Sequence, residues 1–164
     1  MALIDCDVHP RWRSLEEIAE YVAEPWRTKL LTGRVVVPHN GYPNPIATHR
    51  RDAAPPNGGG PGSDPAFLVA DLIERYSMDY AILAGESGQL NLSNLANPEA
   101  GAALAAGYND WLIDRWFSFD PRLLGSVFIA TQDPEQAARE IERVGDHPQF
   151  VQVIVGSGAR FPYG

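Results

Sequence analysis

The sequence predicts an α/β fold in which parallel β-strands alternate with helices, and three observations support this prediction. Short apolar runs recur along the chain. The last three runs are apolar almost throughout, which is typical of parallel strands that are covered on both faces. Three helix starts also share one pattern, in which a capping Asp or Asn precedes a proline: Ser-Asp-Pro, Asn-Pro-Glu and Asp-Pro-Glu. Strands and helices in this order form right-handed βαβ units and a parallel sheet.

The first elements are a predicted strand over residues 2–8 and a predicted helix over about 14–23. Ser14 is suited to cap this helix, and Glu17 three residues later completes a capping-box pattern. Pro25 discourages continuation of the helix, because proline lacks an N–H group and clashes with the preceding turn. We therefore expect the helix to end shortly before that proline.

A long segment over residues 33–65 is rich in Pro, Gly, Asn and Asp. The valines at 35–37 allow a short strand at its beginning, but the rest is predicted to be a loop. A loop of this length is uncommon within a compact domain unless it has a function or is mobile. Two interpretations remain open, a flexible insertion and a loop that covers an active site.

The remaining elements follow in regular alternation. They are a helix capped by Ser63 or Asp64 that runs to about 77, a strand over 79–85, a helix over 97 to about 119, a strand over 123–130, a helix over 133–144 and a strand over 150–155. Two architectures fit four such strands, a small open doubly wound sheet and half of an eight-stranded barrel. Composition does not separate them, although no glycine-rich turn directly follows the first strand, where a dinucleotide-binding sequence would begin.

Composition and net charge limit the kinds of molecule that the chain is expected to bind. The chain has 164 residues and a formal net charge of −8, which fits one domain and argues against binding to nucleic acid. No apolar run approaches the roughly 20 residues that a membrane span requires, so no membrane partner is expected. Cys6 is the single cysteine, which excludes an intrachain disulfide and favours a reducing compartment. The N-terminal residues lack a signal-peptide pattern, and we expect a cytoplasmic protein.

The residues with the clearest chemical potential lie at the end of the first strand. Side chains two residues apart on a strand point to the same face, so we expect Asp5, Asp7 and His9 to share one. Carboxylate oxygen and imidazole nitrogen suit zinc, manganese or iron. A catalytic zinc takes about three protein ligands, however, so these residues are short of a complete site. The alternative is that these polar groups cap neighbouring loops.

The run Ile4-Asp5-Cys6-Asp7-Val8-His9-Pro10 resembles the first-strand signature of the amidohydrolase superfamily, in particular the branch of amino-carboxymuconate-semialdehyde decarboxylase and related "amidohydrolase 2" proteins. Further stretches resemble this branch in the same order along the chain: 55–64 (PPNGGGPGSD), 97–99, 108–111, 120–122 and 132–135. The resemblance implies parallel βα repeats that form the N-terminal half of a TIM (β/α)8 barrel, as one partial domain over residues 1–164.

The resemblance also implies a metal site. Asp7 and His9 fall on the metal-binding pair of the first strand, and Asp5 would either orient His9 or pack in the barrel floor. One divalent ion is expected, zinc first, with manganese or iron as alternatives. In that branch, later strands supply further histidines and an aspartate. No histidine follows the fourth predicted strand here, so we expect an N-terminal part that is inactive as this chain.

The sequence supports its candidates for substrate binding less strongly than it supports the metal pair. Arg50 and Arg51 lie in the long loop, where a guanidinium could bind a substrate carboxylate with two hydrogen bonds, although a solvated basic pair is the alternative. Glu86 follows the second predicted strand and could face the site or cap a loop. The other histidines, expected to be loop or turn residues, are His39, His49 and His147.

The expected activity of the complete enzyme is metal-dependent hydrolysis or non-oxidative decarboxylation (a carboxy-lyase reaction) of a small carboxylated or carbonyl substrate. A small molecule is therefore the expected partner. The alternative is a non-catalytic half-barrel that binds a ligand or forms a homodimer, since a half-barrel leaves unpaired strands at both edges of its sheet.

Overall fold

The computed structural model describes residues 1–36, 51–85, 91–156 and 158. Its strands form one parallel sheet with the order β1-β2-β3-β4. The strands are β1 (Ile4–Val8), β2 (Tyr80–Leu83), β3 (Leu123–Phe128) and β4 (Phe150–Ile154). Each strand pairs with the next one along the chain, as consecutive barrel strands do, whereas a doubly wound sheet reverses its order at a switch point. The α/β prediction and the half-barrel interpretation are confirmed.

Five helices accompany these strands in the described part of the chain. They are α1 (Leu15–Ala19), α2 (Trp26–Leu31), α3 (Pro65–Leu68), α4 (Pro98–Trp111) and α5 (Pro134–Val144). Turns of π-helix extend α3 through Val69–Glu74 and α4 through Leu112–Phe117. Short 3-10 turns lie at Arg51–Ala53 and Leu92–Asn94. None of the helices described here has the length and apolar character of a membrane span.

The helix starts match the capping patterns in the sequence. Ser14 accepts a hydrogen bond from the N–H group of Glu17, as predicted. Asp64, rather than Ser63, caps α3. In the three proline-containing starts, the cap side chain accepts from the N–H group three residues on: Asp64 from Phe67 at 2.9 Å, Asn97 from Ala100 at 3.1 Å, and Asp133 from Gln136 at 3.0 Å.

Two local predictions were wrong. The first helix ends at Ala19 instead of about residue 23, and a second helix, α2, begins directly after Pro25. Proline is compatible with a helix start, because the first N–H groups have no intrahelical acceptor. Val35 and Val36 are not in a strand, and the rest of the expected strand and most of the long loop, 37–50, lie outside the described residues. The two interpretations of that loop therefore remain predictions.

The core lies between the sheet and α4. Tyr108, Trp111 and Trp116 are each about 1% exposed, and their rings contact one another. Tyr108 also packs edge-on against Phe128 at the end of β3, with ring centroids 4.5 Å apart. Edge-to-face pairs of this kind add to the stabilisation that comes from burying large apolar surfaces. This packing fixes the carboxyl end of β3 against the longest helix.

A buried asparagine joins the same helix to the strand. Asn109 is fully buried, accepts a hydrogen bond from the Phe128 N–H group at 2.9 Å and donates to the Phe128 carbonyl at 2.9 Å. It also donates to Glu140 on α5 at 2.7 Å. Backbone groups at the end of a strand have lost their ladder partners and need replacements when buried. Asn109 supplies both replacements for Phe128.

We expect Asn109→Ala to lower the free energy of unfolding by about 2–4 kcal/mol, because each buried group left without a partner costs roughly 1–3 kcal/mol. Urea denaturation followed by circular dichroism measures this loss. The control is Asp110→Ala, which removes an exposed ion pair with Arg143 and should cost about 0.5 kcal/mol or less. Equal losses in the two variants would contradict the role of Asn109.

Candidate metal site

Asp7 and His9 lie together at the carboxyl end of β1. The His9 Nε2 atom is 3.4 Å from the Asp7 Oδ1 atom. Both side chains reach solvent, with exposed fractions of 47% for His9 and 80% for Asp7. A nitrogen and a carboxylate oxygen are thus close to each other on an accessible surface. The carboxyl ends of barrel strands are also where barrel enzymes carry their chemistry.

The imidazole of His9 is oriented by the chain that follows β2. Its Nδ1 atom makes a short hydrogen bond to the Gly85 carbonyl oxygen. A carbonyl can only accept, so Nδ1 carries the proton, and in the neutral ring Nε2 keeps its lone pair on the side of Asp7. Histidines that bind metals typically donate their other ring nitrogen to a carbonyl or carboxylate in this way.

Asp5, Asp7 and His9 do not lie on one regular strand, as their expected shared face requires, because β1 ends at Val8 and its register with β2 is irregular between Asp5 and Val8. Asp5 pairs with Ala81, and Val8 pairs with Leu83, so three steps along β1 lie opposite two steps along β2. The alternation of side chains therefore slips by one residue between Asp5 and Val8. The Asp5 carboxylate accepts a hydrogen bond from the Asp7 N–H group at 3.1 Å, which stabilises the irregular strand.

The donor set fits a divalent ion, but only in part. One carboxylate and one imidazole suit zinc or manganese. Among the residues that the structure describes, no group of three or more His, Cys, Asp or Glu side chains is close enough to hold a metal ion. Asp7 and His9 would therefore be two ligands of a larger set.

The other predicted site residues are largely outside the structural description. Arg51 begins the 3-10 turn Arg51–Ala53, and only its backbone is described. Arg50 and Glu86, as well as His39 and His49, lie outside the described residues, so their expected roles stay predictions.

His147, by contrast, is described and lies before β4, at the sheet edge opposite the metal pair. It accepts from the Gln149 N–H group at 3.3 Å and stacks on Phe117. This is the turn residue that the sequence predicted.

Sequence reasoning missed a turn that packs under His9. We call residues 57–64 the glycine turn. The Gly62 carbonyl accepts a hydrogen bond from the Arg11 N–H group at 2.7 Å. The Arg13 guanidinium binds Asp64 at 2.7 Å and Asn57 at 3.1 Å. The run of glycines indicates that another segment of backbone can approach closely. The sequence alone, however, does not identify that segment.

The electrostatics of the glycine turn centre on Asp64. Hydrogen bonds lower the pKa of its carboxyl, first from the Phe67 N–H group and then from the Asn57 amide, and the positive charge of Arg13 acts in the same direction. The ionised form of Asp64 is therefore favoured in the folded chain. The same carboxylate caps α3 and binds Arg13, so it joins the helix to the segment that follows β1.

The chain matches a known protein family over most of its length. The model of the family described as Amidohydrolase matches residues 4–162, which is nearly the whole chain. The chain belongs to the amidohydrolase family. The residues that carry the first-strand resemblance, from Ile4 to Pro10, lie within the matched range. No curated protein matches this amidohydrolase chain.

A solved structure shows the same fold. It is 5-carboxyvanillate decarboxylase from Novosphingobium aromaticivorans, in complex with manganese and 4-hydroxy-3-methoxy-5-nitrobenzoic acid. It is 23% identical to this amidohydrolase chain, with a TM-score of 0.61. The alignment covers 99% of this chain and 43% of that one, so this chain spans less than half the length of the solved protein.

The depressed pKa of Asp64 makes a pH-dependent contribution to stability. A lowered carboxyl pKa stabilises the folded chain above the ordinary value of 3.8, and the contribution disappears as the pH falls through the folded value. We expect Asp64→Asn, which keeps a capping side chain but loses the charge, to cost about 1–2 kcal/mol at neutral pH. Urea denaturation at neutral pH and below 3.8 should show the difference shrinking in acid. A difference that does not change with pH would contradict this explanation.

Proposed function

We propose that Asp7 and His9 are two of the ligands of a divalent metal ion in a metal-dependent hydrolase or decarboxylase. One observation carries this proposal. The Gly85 carbonyl binds the Nδ1 proton of His9, and the free Nε2 atom lies 3.4 Å from a carboxylate oxygen of Asp7. Membership of the amidohydrolase family supports the same role, because the matched range includes the segment with Asp7 and His9 that resembles the family's first-strand metal pair.

Zinc is the metal that we propose first, with manganese as the main alternative. Imidazole nitrogen and carboxylate oxygen suit both ions, and this donor pair does not discriminate between them. The solved decarboxylase is in complex with manganese, which supports a divalent ion and keeps manganese in consideration.

The protein groups would have distinct tasks. Nε2 of His9 and the carboxylate of Asp7 would bind the ion, and the negative charge of Asp7 would offset part of its positive charge. The Gly85 carbonyl would hold the proton on Nδ1 and so keep Nε2 available. When bound, a divalent ion supplies Lewis acidity, which polarises a substrate oxygen or lowers the pKa of a water molecule toward neutrality.

The proposed substrate is a small molecule that carries a carboxylate or another carbonyl group. The ligand of the solved decarboxylase is a substituted benzoic acid, which supports an acidic substrate. Arg50 and Arg51 are the candidates to bind a substrate carboxylate, and Glu86 is a further candidate near the end of β2. The full reaction is proposed for an enzyme that includes the remaining ligands, since Asp7 and His9 fall short of the usual number.

The proposal predicts that metal retention depends on this pair. After equilibrium dialysis against buffer that contains dilute zinc or manganese, we expect the chain to hold more metal than the double variant Asp7→Ala/His9→Ala, because that variant loses both donors together. Metal content measured by plasma mass spectrometry tests this expectation.

The matched control is the double variant Asp146→Ala/His147→Ala. It also removes one aspartate and one histidine, but at the opposite edge of the sheet. We expect this variant to retain metal as the unchanged chain does. Equal retention by both double variants would rule out the Asp7/His9 pair as the binding site.

A second candidate function, a homodimerising half-barrel, is favoured by a different surface. Within the described residues, β1 and β4 each pair with a strand on one side only. Val151 and Val153 of β4 and Val155 just after it are 49%, 44% and 47% exposed. Unpaired strand edges and exposed β-branched side chains favour association with another chain. A second copy that pairs its β1 with β4 would cover both edges.

Analytical ultracentrifugation tests this second candidate. A dimer would sediment at twice the monomer mass of 18.0 kDa, and Val153→Glu should return it to a monomer by burying an unpaired charge at the proposed interface. A monomer at every protein concentration would exclude the half-barrel dimer. The metal proposal is unaffected by either result.

A further inference from the structure

We propose that Gly62 is a positioning residue for the Asp7/His9 pair. In this view, the glycine turn holds the backbone of His9 at the place from which its imidazole reaches both Gly85 and Asp7. The proposed consequence for metal binding rests on the function proposed above, whereas the effect on the His9 ring itself does not.

The contact between Gly62 and His9 leaves no room for a side chain. Gly62 has a φ angle of +77°, in the region that favours glycine. A Cβ atom added there would overlap the His9 carbonyl oxygen and would lie 3.4 Å from the His9 carbonyl carbon. The obstructing atoms belong to the backbone, so they cannot rotate away as the end of a flexible side chain could. Any other residue at this position must displace the turn or the backbone of His9.

The turn itself is held from its other side. Arg13 binds Asp64 and Asn57 through its guanidinium, and its Nε atom donates to the Ser63 carbonyl at 3.3 Å. The Arg13–Asp64 pair joins a carboxylate that is only 14% exposed. A displaced turn would therefore lose several charge-assisted hydrogen bonds. We infer that the backbone of His9 moves instead when a side chain is added at position 62.

Displacement of His9 has a direct effect on its ring. The imidazole is joined to the backbone by two rotatable bonds, and its Nδ1 atom already makes a close contact with Gly85. Moving the backbone weakens this hydrogen bond and so removes the reason for Nδ1 to carry the proton. The Nε2 atom is then protonated in part of the molecules, and a metal must displace that proton in order to bind.

The test compares Gly62→Ala with Gly58→Ala. Both glycines are in the left-handed region, with φ angles of +77° and +90°, so both variants introduce the same kind of backbone strain. A Cβ atom at Gly58 meets nothing within 4 Å, so only Gly62→Ala adds the clash with His9. Two readouts are taken from the folded proteins. They are the 15N signals of the His9 ring in alkaline buffer, assigned with His9→Asn, and the affinities for zinc and manganese.

We expect the unchanged chain and Gly58→Ala to show one tautomer of His9, with the proton on Nδ1. Gly62→Ala should show a mixture of both tautomers and bind metal about 10-fold more weakly, as is typical when the support of a ligand is lost. The proposal is overturned if folded Gly62→Ala keeps the His9 signals and the metal affinity of Gly58→Ala. If the unchanged chain binds neither metal while the His9 signals of Gly62→Ala alone change, the proposed function fails and the positioning of His9 stands.

A second variant decides the matter if Gly62→Ala does not fold. Arg13→Lys keeps the charge but cannot reproduce the planar arrangement of donors to Ser63, Asn57 and Asp64. It loosens the glycine turn without adding atoms near His9. We expect mixed tautomers of His9 in this variant as well. Wild-type His9 signals in folded Arg13→Lys would overturn the proposal.

Discussion

The site depends on one hydrogen bond that joins the ends of two strands, from the Nδ1 atom of His9 to the carbonyl of Gly85. This bond is possible because β1 and β2 are parallel neighbours, so that their carboxyl ends meet at one edge of the sheet. The ladder continues to this edge, where the Ala84 N–H group donates to the Val8 carbonyl at 2.7 Å. The parallel pairing therefore does more than build the core. It brings an acceptor to the ring and leaves the other ring nitrogen facing Asp7.

Much of the fold could be predicted because its signals are local. A capping side chain, a following proline and an apolar run lie within a few residues of one another, and the structure confirms the starts of α3, α4 and α5. The proximity of Asp7 and His9 has the same origin, since two residues of one strand cannot be far apart. Their role as metal ligands, in contrast, is implied by the family resemblance and is a proposal.

Features that depend on contacts between distant parts of the chain could not be predicted. The register slip between Asp5 and Val8 interrupts the alternation of side chains in β1, and it is visible only in the pairing with β2. The glycine turn meets His9 across more than fifty residues of sequence, and a run of glycines does not identify its neighbour. The start of α2 was missed for another reason. Pro25 predicts the end of a helix, but proline is equally suited to the beginning of one.

Main-chain atoms surround His9 on two sides, the carbonyl of Gly85 at its ring and the backbone of Gly62 at its own carbonyl. The geometry of the site thus depends on contacts made by two residues that have no side chain. Gly62 leaves no room for a side chain, and Gly85 has a φ angle of +73°, which favours glycine. Side chains around the opening can be changed without altering these two main-chain contacts. A library that seeks new activities from this scaffold would therefore randomise the side chains and leave both glycines intact.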